Sequence, residues 1–485
     1  MNTSSKMPWL LLACFLSLPL VTLLASSKQR ESQAERPNIV FLLADDVNCD
    51  TWGTYGGENC KTPNIDQLAK DGMRFDRAYC SVAMCAPFRQ ELYSGRSPWR
   101  TGTLANHSKS KSGTKSLPHY LQPLGYRVVL LGKSHVGPKT SYPFEHINHG
   151  DKKKDHNPFY LKKAGEIMDQ SKKNKKPFCL FVTSNDGHGP YTTGDPSAYR
   201  KEDFKIPPYW LDTPNLRGVL LNYYAEITNF DKLVGQMRTA LETRGLWENT
   251  VFIVCGEQGT GLPFAKWTCY RNGLQTGLVA HWKGRITPGS VAEELISISD
   301  IAPTLVTAVG GSYGKNDFDG KSFLPTLKGV PQELHNYVFG AFTNCNIIGS
   351  GDRIFPIRSV RSKRHSLLYN PNYRKITSNV TLDDALSMLE KGIEGNGSIA
   401  SSWVRRSEKD PNAKQLVHKL HHRPEYELYD LEKDPHELLN VIDQSEYIAI
   451  AEKLKLALTS RLRALGDSNP IETEMSLVKK HRSKH

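Results

Sequence analysis

A continuous apolar run at residues 39–44 places the strongest constraint on the fold. A strand with one face in solvent alternates polar and apolar residues, whereas a strand covered on both faces is apolar throughout. Helical periodicity fills the stretches between such runs, as at residues 223–244 before Gly245. Further apolar runs lie at residues 126–131, 178–182 and 251–255. Alternating buried strands and helices predict an α/β fold with helices on both faces of the sheet.

Each of these four runs leads into charged or hydrogen-bonding side chains. In an open α/β sheet, ligands bind at the carboxyl ends of the strands. We therefore expect these side chains to converge on one site. They are Asp45 and Asp46 after the first run, Lys133 and His135 after the second, His188 after the third, and Glu257 and Gln258 after the fourth.

The adjacent carboxylates of Asp45 and Asp46 repel each other, and a divalent cation between them offsets that cost. Taken alone, the pair is more typical of exposed loop aspartates. Glu257 and Gln258 supply a second pair of oxygen ligands after another strand, which favours a shared metal site. The donors are all oxygens and no set of histidines and cysteines has zinc spacing, so the pattern indicates Ca²⁺.

Cys85 lies at the junction of a loop and a predicted helix, in the sequence Cys-Ala-Pro-Phe-Arg. Pro87 suits the first turn of a helix, and Gly95 suits its end. The N-terminus of a helix offers unpaired amide groups and a positive dipole, which favour a bound oxyanion such as sulfate. Arg89 can point back towards residue 85. A buried structural cysteine in a proline-capped helix is the alternative.

Four basic side chains complete the candidate site. Transfer of an oxyanion group needs cations that match the charge on its non-bridging oxygens, and a proton donor for the leaving group. A single lysine or histidine after a strand is ordinarily a surface residue, but several of them beside a metal site favour a common role. They are Lys133, His135, His188 and Lys266.

The chain resembles the type I, formylglycine-dependent sulfatases of the alkaline phosphatase superfamily. Cys-x-Pro-x-Arg is the pattern at which that family has its cysteine oxidised to formylglycine, and Cys85 to Arg89 match it. The resemblance extends from Arg36 to about residue 440, with further motifs at residues 36–40, 45–46, 62–66, 94–95, 132–135, 188, 266, 300–304 and 427–431. Glu257 and Gln258 depart from the family pattern, in which an aspartate is followed by asparagine or histidine.

The resemblance implies an alkaline-phosphatase-like sandwich, in which a large mixed sheet lies between helices, with a smaller C-terminal α+β domain that has an antiparallel sheet. It implies that a formylglycine-generating or anaerobic sulfatase-maturing enzyme converts Cys85 to formylglycine (3-oxoalanine). The hydrated aldehyde would supply the attacking oxygen and form a covalent sulfate ester, from which sulfate leaves as the aldehyde is regenerated. Ca²⁺ would be surrounded by Asp45, Asp46, residue 85, Glu257 and Gln258.

The resemblance also assigns roles to the basic residues and narrows the substrate. Arg89, Lys133, His135, His188 and Lys266 would bind the sulfate and move protons, with His188 or Lys266 protonating the departing oxygen. Within the family, residues 132–138, 142–144 and 355–361 look most like the N-sulfoglucosamine sulfohydrolase (heparan N-sulfatase) branch. We predict hydrolysis of O-sulfate esters of a sulfated carbohydrate ahead of N-sulfate hydrolysis, because Glu257 and Gln258 in the predicted metal-binding loop differ from the usual family pattern.

Other functions stay open at this point. A phosphoester or phosphonate hydrolase of the same superfamily would share the nucleophile and the metal. A non-catalytic polyanion-binding protein would result if Cys85 were never matured. For the substrate contacts, the candidates are Arg358 and Arg361 together with the loop at residues 140–176, because loops build the pockets of this fold.

Charge and targeting signals bear on partners and location. The net charge of +13 favours a polyanionic partner, and without a zinc finger, RNA-binding motif or basic groove helix that partner is not expected to be nucleic acid. An apolar run at residues 8–25 predicts a secretory signal peptide over residues 1–26. A retained membrane anchor is the alternative, although Pro19 interrupts the run. We expect a secreted or periplasmic protein, or a lysosomal one in a eukaryote, without stable membrane insertion.

After the signal peptide, the sequence predicts a catalytic domain over residues 36–335, a C-terminal subdomain over residues 336–470 and a basic tail over residues 471–485. Residues 358–368 alternate polar and apolar side chains, as strands of a hairpin do. The chain has nine cysteines, and an odd number remains once Cys14 and Cys85 are set aside. At least one thiol is therefore expected to stay unpaired within the chain.

Overall fold

The computed structural model describes Met1 and residues 36–149, 155–345, 354–376 and 398–482. The predicted signal peptide, residues 1–26, therefore lies outside the described residues apart from Met1. The strands are β1 (Asn38–Ala44), β2 (Met73–Phe75), β3 (Ala78–Tyr79), β4 (Arg127–Gly132), β5 (Glu145–Ile147), β6 (Phe178–Thr183), β7 (Thr250–Gly256), β8 (Leu278–His281), β9 (Ser290–Ala292), β10 (Ile296–Ser297), β11 (Val338–Phe342), β12 (Ile357–Arg361), β13 (His365–Tyr369) and β14 (Tyr426–Asp430). The α-helices are Pro63–Asp71, Cys85–Ser94, Pro98–Thr101, Leu117–Leu121, Asn157–Asn174, Pro214–Glu242, Arg271–Leu274, Ile301–Ala308, Leu324–Leu327, Ser398–Ser407, Pro411–His421, Ile448–Ala464 and Pro470–Arg482.

Eight strands form the central sheet in the order β5-β4-β6-β1-β7-β8-β2-β9. β1 lies in the middle and pairs in parallel with β6 on one side and β7 on the other. β4 and β5 continue the parallel arrangement, whereas β8 runs antiparallel to both β7 and β2. The sheet is mixed, which confirms the predicted α/β class. Leu43 is in register with both Thr183 and Cys255, so the segments that follow β1, β6 and β7 leave the sheet at one edge.

The core of the protein follows the apolar runs. Residues 39–44 of β1 have no exposed area, as expected of a strand covered on both faces. The helices Asn157–Asn174 and Pro214–Glu242 pack against each other and against β1, β4 and β6. The second of these helices begins well before the predicted residue 223. The reason is a cap, because the Thr213 hydroxyl accepts a hydrogen bond from the Leu216 N–H and a proline follows in the first turn.

A separate four-stranded antiparallel sheet consists of β11, β12, β13 and β14, as the resemblance implies. The alternating residues 358–368 fall in its β12–β13 hairpin. The helix Ile448–Ala464 packs against β12 and β13. The predicted basic tail largely belongs to the helix Pro470–Arg482, in which Glu474 is buried and accepts a hydrogen bond from the Asn344 N–H. The boundary between the two domains stays a prediction.

The interior contains cysteines that behave as small apolar side chains. Buried free thiols are found at Cys49, Cys60, Cys80, Cys85, Cys179, Cys255 and Cys269. Burial raises the pKa of the thiol at each of these positions, so the cysteines are protonated at neutral pH. Within the described ranges, no helix combines the length and the apolar character that crossing a membrane requires.

Candidate active site

Cys85 begins the helix Cys85–Ser94, every residue of which is buried. The preceding residue, Met84, is extended, so the chain turns into the helix at the cysteine itself. Gly95 follows in the left-handed conformation, with φ of 61°, and ends the helix where the sequence predicts. The Cys85 side chain thus lies at the positive end of a helix dipole, beside amide groups that have no partner within the helix.

The Cys85 thiol is surrounded by the residues that follow the strands. Its Sγ is 3.6 Å from Asp45 Oδ1 and 3.7 Å from Asp46 Oδ1. The Gln258 amide nitrogen and the Lys266 ammonium nitrogen each lie 3.4 Å from the sulfur. Only 2% of the cysteine is exposed. The thiol is therefore enclosed by polar and charged groups, which is unusual for a cysteine with a purely structural role.

Parallel strand pairing brings the acidic residues together. Asp45 and Asp46 directly follow β1, and Glu257 follows the neighbouring strand β7. The Glu257 N–H donates to the Ala44 carbonyl over 2.9 Å, which holds the two strand ends side by side. Asp46 has φ of 52°, a left-handed conformation that aspartate tolerates better than most residues. With this turn, both consecutive carboxylates reach the thiol.

The cluster has the composition of a site for a hard divalent cation. The donor atoms of Asp45, Asp46, Cys85 and Glu257 lie within 4.8 Å of one another, and all four residues are buried. Gln258 directs its amide nitrogen at Asp46, and its Oε1 is buried without a hydrogen-bond partner among the described residues. Rotation of that amide would present the oxygen instead. The donor set therefore fits Ca²⁺, which prefers carboxylate and amide oxygens.

Arg89 lies one turn into the helix and has no exposed area. Its Nε donates to Glu257 over 2.7 Å, and its Nη1 donates to the carbonyl of Lys133 over 2.6 Å. Its Nη2 lies 3.7 Å from Asp45. Burial raises the pKa of Glu257 to about 8, against the lowering effect of the Arg89 guanidinium. Arg89 thus ties the helix to the loops that follow three different strands.

Two lysines pair with the two aspartates. Lys133 Nζ lies 2.5 Å from Asp45, and Lys266 Nζ lies 2.6 Å from Asp46. Burial by itself raises the pKa of Asp45, but the charge of Lys133, a hydrogen bond with Glu257 and the charge of Arg89 outweigh it and hold that pKa well below its usual range. Burial lowers the pKa of Lys266, but Asp46 raises it overall. Both lysines are charged at neutral pH.

His188 lies at the open side of the cluster, with 43% of its side chain exposed. Its Nε2 is 3.7 Å from Asp46 Oδ2. Its Nδ1 is 2.8 Å from the Gly189 carbonyl, and because a carbonyl only accepts, Nδ1 carries a proton. Nε2 is therefore the ring nitrogen that is left to contact a bound substrate. This geometry suits a group that exchanges a proton with a bound substrate.

His135 bonds to a second histidine, with 2.8 Å between its Nε2 and the Nδ1 of His107. Burial, followed by the charges of Lys133 and Arg89, lowers the pKa of His135 to about 3. The His135 ring is therefore neutral at neutral pH and contributes hydrogen bonds without a positive charge. His107 is missed by the sequence motifs, because a lone histidine in a polar loop has no distinguishing pattern.

Asn48 is a further residue that the motifs miss. It is fully buried, and its Oδ1 accepts a hydrogen bond from the Thr260 N–H over 2.9 Å. This bond joins the loop after Asp46 to the loop after Gln258, so Asn48 supports the metal-site candidates without belonging to them. Its position two residues after Asp46 was the only signal in the sequence.

Arg358 and Arg361, the predicted substrate contacts, lie instead in β12 of the second sheet. Arg358 pairs with Asp467 over 2.5 Å, and Arg361 pairs with Glu437 over 2.8 Å. Both guanidinium groups are buried with these carboxylates, so each pair is an internal ion pair. The predicted role of the two arginines in substrate binding stays a prediction. The residues that the structure brings together are Asp45, Asp46, Cys85, Arg89, Lys133, His188, Glu257, Gln258 and Lys266.

Known proteins match the chain over most of its length. The Sulfatase family model matches residues 37–311. An ulvan-active sulfatase of Formosa agariphila is 34% identical over 446 residues, which cover 90% of this chain and 81% of the relative. The N-sulphoglucosamine sulphohydrolase of Homo sapiens is 26% identical over 483 residues, which cover 87% of this chain and 89% of that protein.

Solved structures share the fold at lower identity. A protein in complex with its substrate D-glucosamine-2-N,6-O-disulfate has a TM-score of 0.69 and 18% identity, and the match covers 90% of this chain and 99% of that one. The phosphonate monoester hydrolase of Agrobacterium radiobacter has a TM-score of 0.65 and 18% identity, with coverage of 89% and 95%. Because the family model matches more than half of the chain and the 34% identical relative matches 90% of it, the chain belongs to the sulfatase family and is a sulfuric ester hydrolase.

Proposed function

We propose that the protein hydrolyses sulfate esters of a sulfated carbohydrate, with a formylglycine made from Cys85 and with Ca²⁺ in the carboxylate cluster. The main support is the position of Cys85, which begins a helix and has two carboxylates, an amide and an ammonium group within 3.7 Å of its sulfur. Relatives named for ulvan and for N-sulphoglucosamine favour a carbohydrate substrate. Glu257 and Gln258 differ from the family's usual aspartate followed by asparagine or histidine, and this difference favours an O-sulfate ester over an N-sulfate as the substrate.

The charge of the site suits an anionic substrate. Its three carboxylates are paired with three cations, one arginine and two lysines. A divalent cation bound by the three carboxylates would keep Glu257 ionised and leave the set with two net positive charges, and that surplus attracts a sulfate group. The amide groups at the start of the Cys85–Ser94 helix act in the same direction. The net charge of the chain, +13, favours a polyanionic carbohydrate over a neutral one.

The groups of the chain divide the chemical work. An aldehyde at residue 85 would supply, when hydrated, a hydroxyl nucleophile whose partner hydroxyl can later expel the sulfate. Lys133 and Lys266 carry the charges that would balance the non-bridging sulfate oxygens. Arg89 holds the helix of residue 85 against Glu257 and so fixes the direction of that side chain. His188 Nε2, on the open side, would give a proton to the departing oxygen.

Removal of the metal is expected to lower stability and activity together. Ca²⁺ would be held by Asp45, Asp46, Glu257, Gln258 and residue 85. When bound, it would supply positive charge for the sulfate group and offset the repulsion between the carboxylates. An ion that binds only the folded state adds about 2.7 kcal/mol to the unfolding free energy at about 100 times its Kd. Thermal unfolding and sulfate release are measured after exhaustive chelation and again after Ca²⁺ or Mg²⁺ is added.

Metal analysis of each sample is the control for this experiment, because a tightly enclosed ion can survive chelation. In metal-free protein, Ca²⁺ should raise the unfolding temperature and restore activity, whereas Asp46→Asn should weaken both responses. If the protein is shown to contain no metal ion and its unfolding temperature does not change when Ca²⁺ is added, the proposed calcium site is contradicted.

Release of inorganic sulfate tests the proposed function itself. A portion of the protein from the native host is first digested with trypsin, and the mass of the peptide of residues 78–89 is measured by mass spectrometry. Conversion of the thiol to an aldehyde removes one sulfur and two hydrogens and adds one oxygen. The matured protein is then assayed with ulvan, O-sulfated and N-sulfated glucosamine saccharides, and a phosphonate monoester.

Each substrate class has its own consequence. We expect sulfate release from an O-sulfated saccharide. Turnover of the N-sulfated saccharide alone would make the protein a sulfamate hydrolase, and turnover of the phosphonate alone would make it a phosphonate hydrolase. An intact thiol together with polyanion binding and no turnover would identify a binding protein.

We also propose that the protein is exported and that a maturing enzyme acts on it. The predicted signal peptide supports secretion, or a periplasmic or lysosomal location according to the host. The maturing enzyme would be of the formylglycine-generating or the anaerobic sulfatase-maturing kind. Because Cys85 is only 2% exposed in the folded protein, this enzyme would have to reach the cysteine before the chain folds around it.

A further inference from the structure

The loop that carries His188 leaves β6 and passes over the helix Pro214–Glu242. Its outer part, residues 188–190, is exposed. At its far end it runs directly over the helix backbone, because a Cβ on Gly194 would lie 2.1 Å from the Ala225 carbonyl. Tyr191 packs against Tyr223 of the helix, but the exposed stretch before it has no such contact among the described residues, and exposed stretches of this kind are ordinarily mobile. A proton donor on such a loop needs a separate anchor if it is to stay over the substrate.

Glu226 is that anchor. It extends from the helix into the underside of the loop and is only 2% exposed. One carboxylate oxygen accepts a hydrogen bond from the Gly187 N–H over 3.0 Å. The other accepts from the N–H groups of Thr192 and Thr193, over 2.6 Å and 3.1 Å. A single buried carboxylate therefore binds the backbone on both sides of His188.

The loop is also joined to the site at its beginning. The Asp45 N–H donates to the Asp186 carbonyl over 3.1 Å. A Cβ on Gly187 would lie 2.1 Å from the Asp45 carbonyl, so the loop backbone touches the end of β1. At the other side of His188, the Thr193 hydroxyl donates to Asp186 Oδ1 over 2.6 Å. Only the short exposed stretch around His188 lies between these fixed points.

We propose that Glu226 is a positioning residue of the sulfatase reaction, which holds the His188 ring beside Asp46 by fixing the loop of residues 187–193. This inference rests on the proposed role of His188 as a proton donor. Glu226→Gln is the informative substitution, because it keeps the size and shape of the side chain. Its oxygen can still accept two hydrogen bonds, but its NH₂ group would oppose a backbone N–H and release one side of the loop.

Asp231 offers a matched control on the same helix. It is also buried, and its carboxylate accepts hydrogen bonds from the backbone N–H groups of Asn64 and Ile65, away from the His188 loop. Asp231→Asn and Glu226→Gln therefore disturb the same helix with the same chemical change. Only Glu226→Gln should change the position of the His188 ring.

Hydrogen exchange tests the anchor without reference to activity. In Glu226→Gln, amide exchange should accelerate at Gly187, Thr192 and Thr193, whereas in Asp231→Asn it should accelerate at Asn64 and Ile65. Unchanged exchange across residues 187–193 in Glu226→Gln would overturn the inference even if the protein proved to have another activity.

Kinetics with a double mutant tests the consequence for the reaction. Glu226→Gln should lower kcat by about 10- to 100-fold with little change in KM, since misplacement of a catalytic group by about 1 Å has effects of that size. The loss should be greater for substrates with poor leaving groups, as for His188→Ala. The double variant Glu226→Gln/His188→Ala should be no slower than His188→Ala, because the two residues act through one ring.

Additive losses in the double variant would overturn the inference and leave the proposed function intact. A wild-type protein that is matured yet releases no sulfate would instead contradict the proposed function, and the exchange experiment would still decide the role of Glu226. If Glu226→Gln does not fold, Thr193→Val replaces it. This variant removes the hydroxyl bond to Asp186 at the far side of the loop and should show a smaller loss of kcat with the same dependence on His188.

Discussion

Cys85→Ala is expected to lower kcat by about 10⁴- to 10⁶-fold, the scale found when a catalytic nucleophile is removed. The reason is that no other group around residue 85 can take over its function. Its neighbours are carboxylates, an amide and an ammonium group, each already engaged with another member of the cluster. Substrate binding should survive, because the cations that attract sulfate remain. The measurement is sulfate release under saturating substrate, with binding followed separately.

Cys80→Ala is the matched control for that experiment. Cys80 is as buried as Cys85 and lies five residues earlier, after β3. Its truncation should cost stability through lost packing and leave kcat near the wild-type value. Thermal unfolding of both variants shows whether the fold is kept. Activity of Cys85→Ala comparable to that of Cys80→Ala would remove residue 85 from the mechanism.

The location of the site is predictable because its chemistry follows from local patterns. Apolar runs that end in polar residues mark the strand ends, and parallel pairing of β1 with β6 and β7 brings those ends to one edge. Asp45 and Glu257 meet there for that reason. The remaining strands of the sheet cannot be predicted from the sequence in the same way. Strands β2, β8 and β9 have only three or four residues, and their pairing depends on contacts that are distant in the chain.

Buried ion pairs, and buried carboxylates that bind backbone amides, cannot be recognised in the sequence because their partners lie far away along the chain. Arg358 is separated from Asp467 by 109 positions, and nothing near it distinguishes it from an arginine that faces solvent. The sequence therefore predicts a substrate contact at Arg358 and gives no sign of the internal ion pair that the structure has. Glu226 is hidden for a related reason, because its partners are backbone amides of a loop that leaves a different strand. Polar side chains of this kind are identified only once the fold is known.

Arg89→Met is expected to be the most destabilising single change at the site, lowering the unfolding free energy by about 3–5 kcal/mol. Arg89 is fully buried and pairs with Glu257, so its loss leaves a buried carboxylate without its cation. It also breaks the hydrogen bond to the Lys133 carbonyl, which connects the helix of residue 85 to the end of β4. We therefore expect kcat of the folded protein to fall as well. Urea unfolding gives the stability, and activity is normalised to the folded fraction.

Arg358→Met separates the two effects, because Arg358 is equally buried and is paired with an internal carboxylate, Asp467. Loss of a buried cation should destabilise this variant by a similar amount. Its folded fraction should retain normal kcat and KM, since the pair lies in the second sheet. Equal loss of kcat in both variants would mean that Arg89 acts only through the fold. A raised KM in Arg358→Met alone would instead support the predicted substrate contact of Arg358, since loss of packing in the second sheet gives no reason for weaker substrate binding.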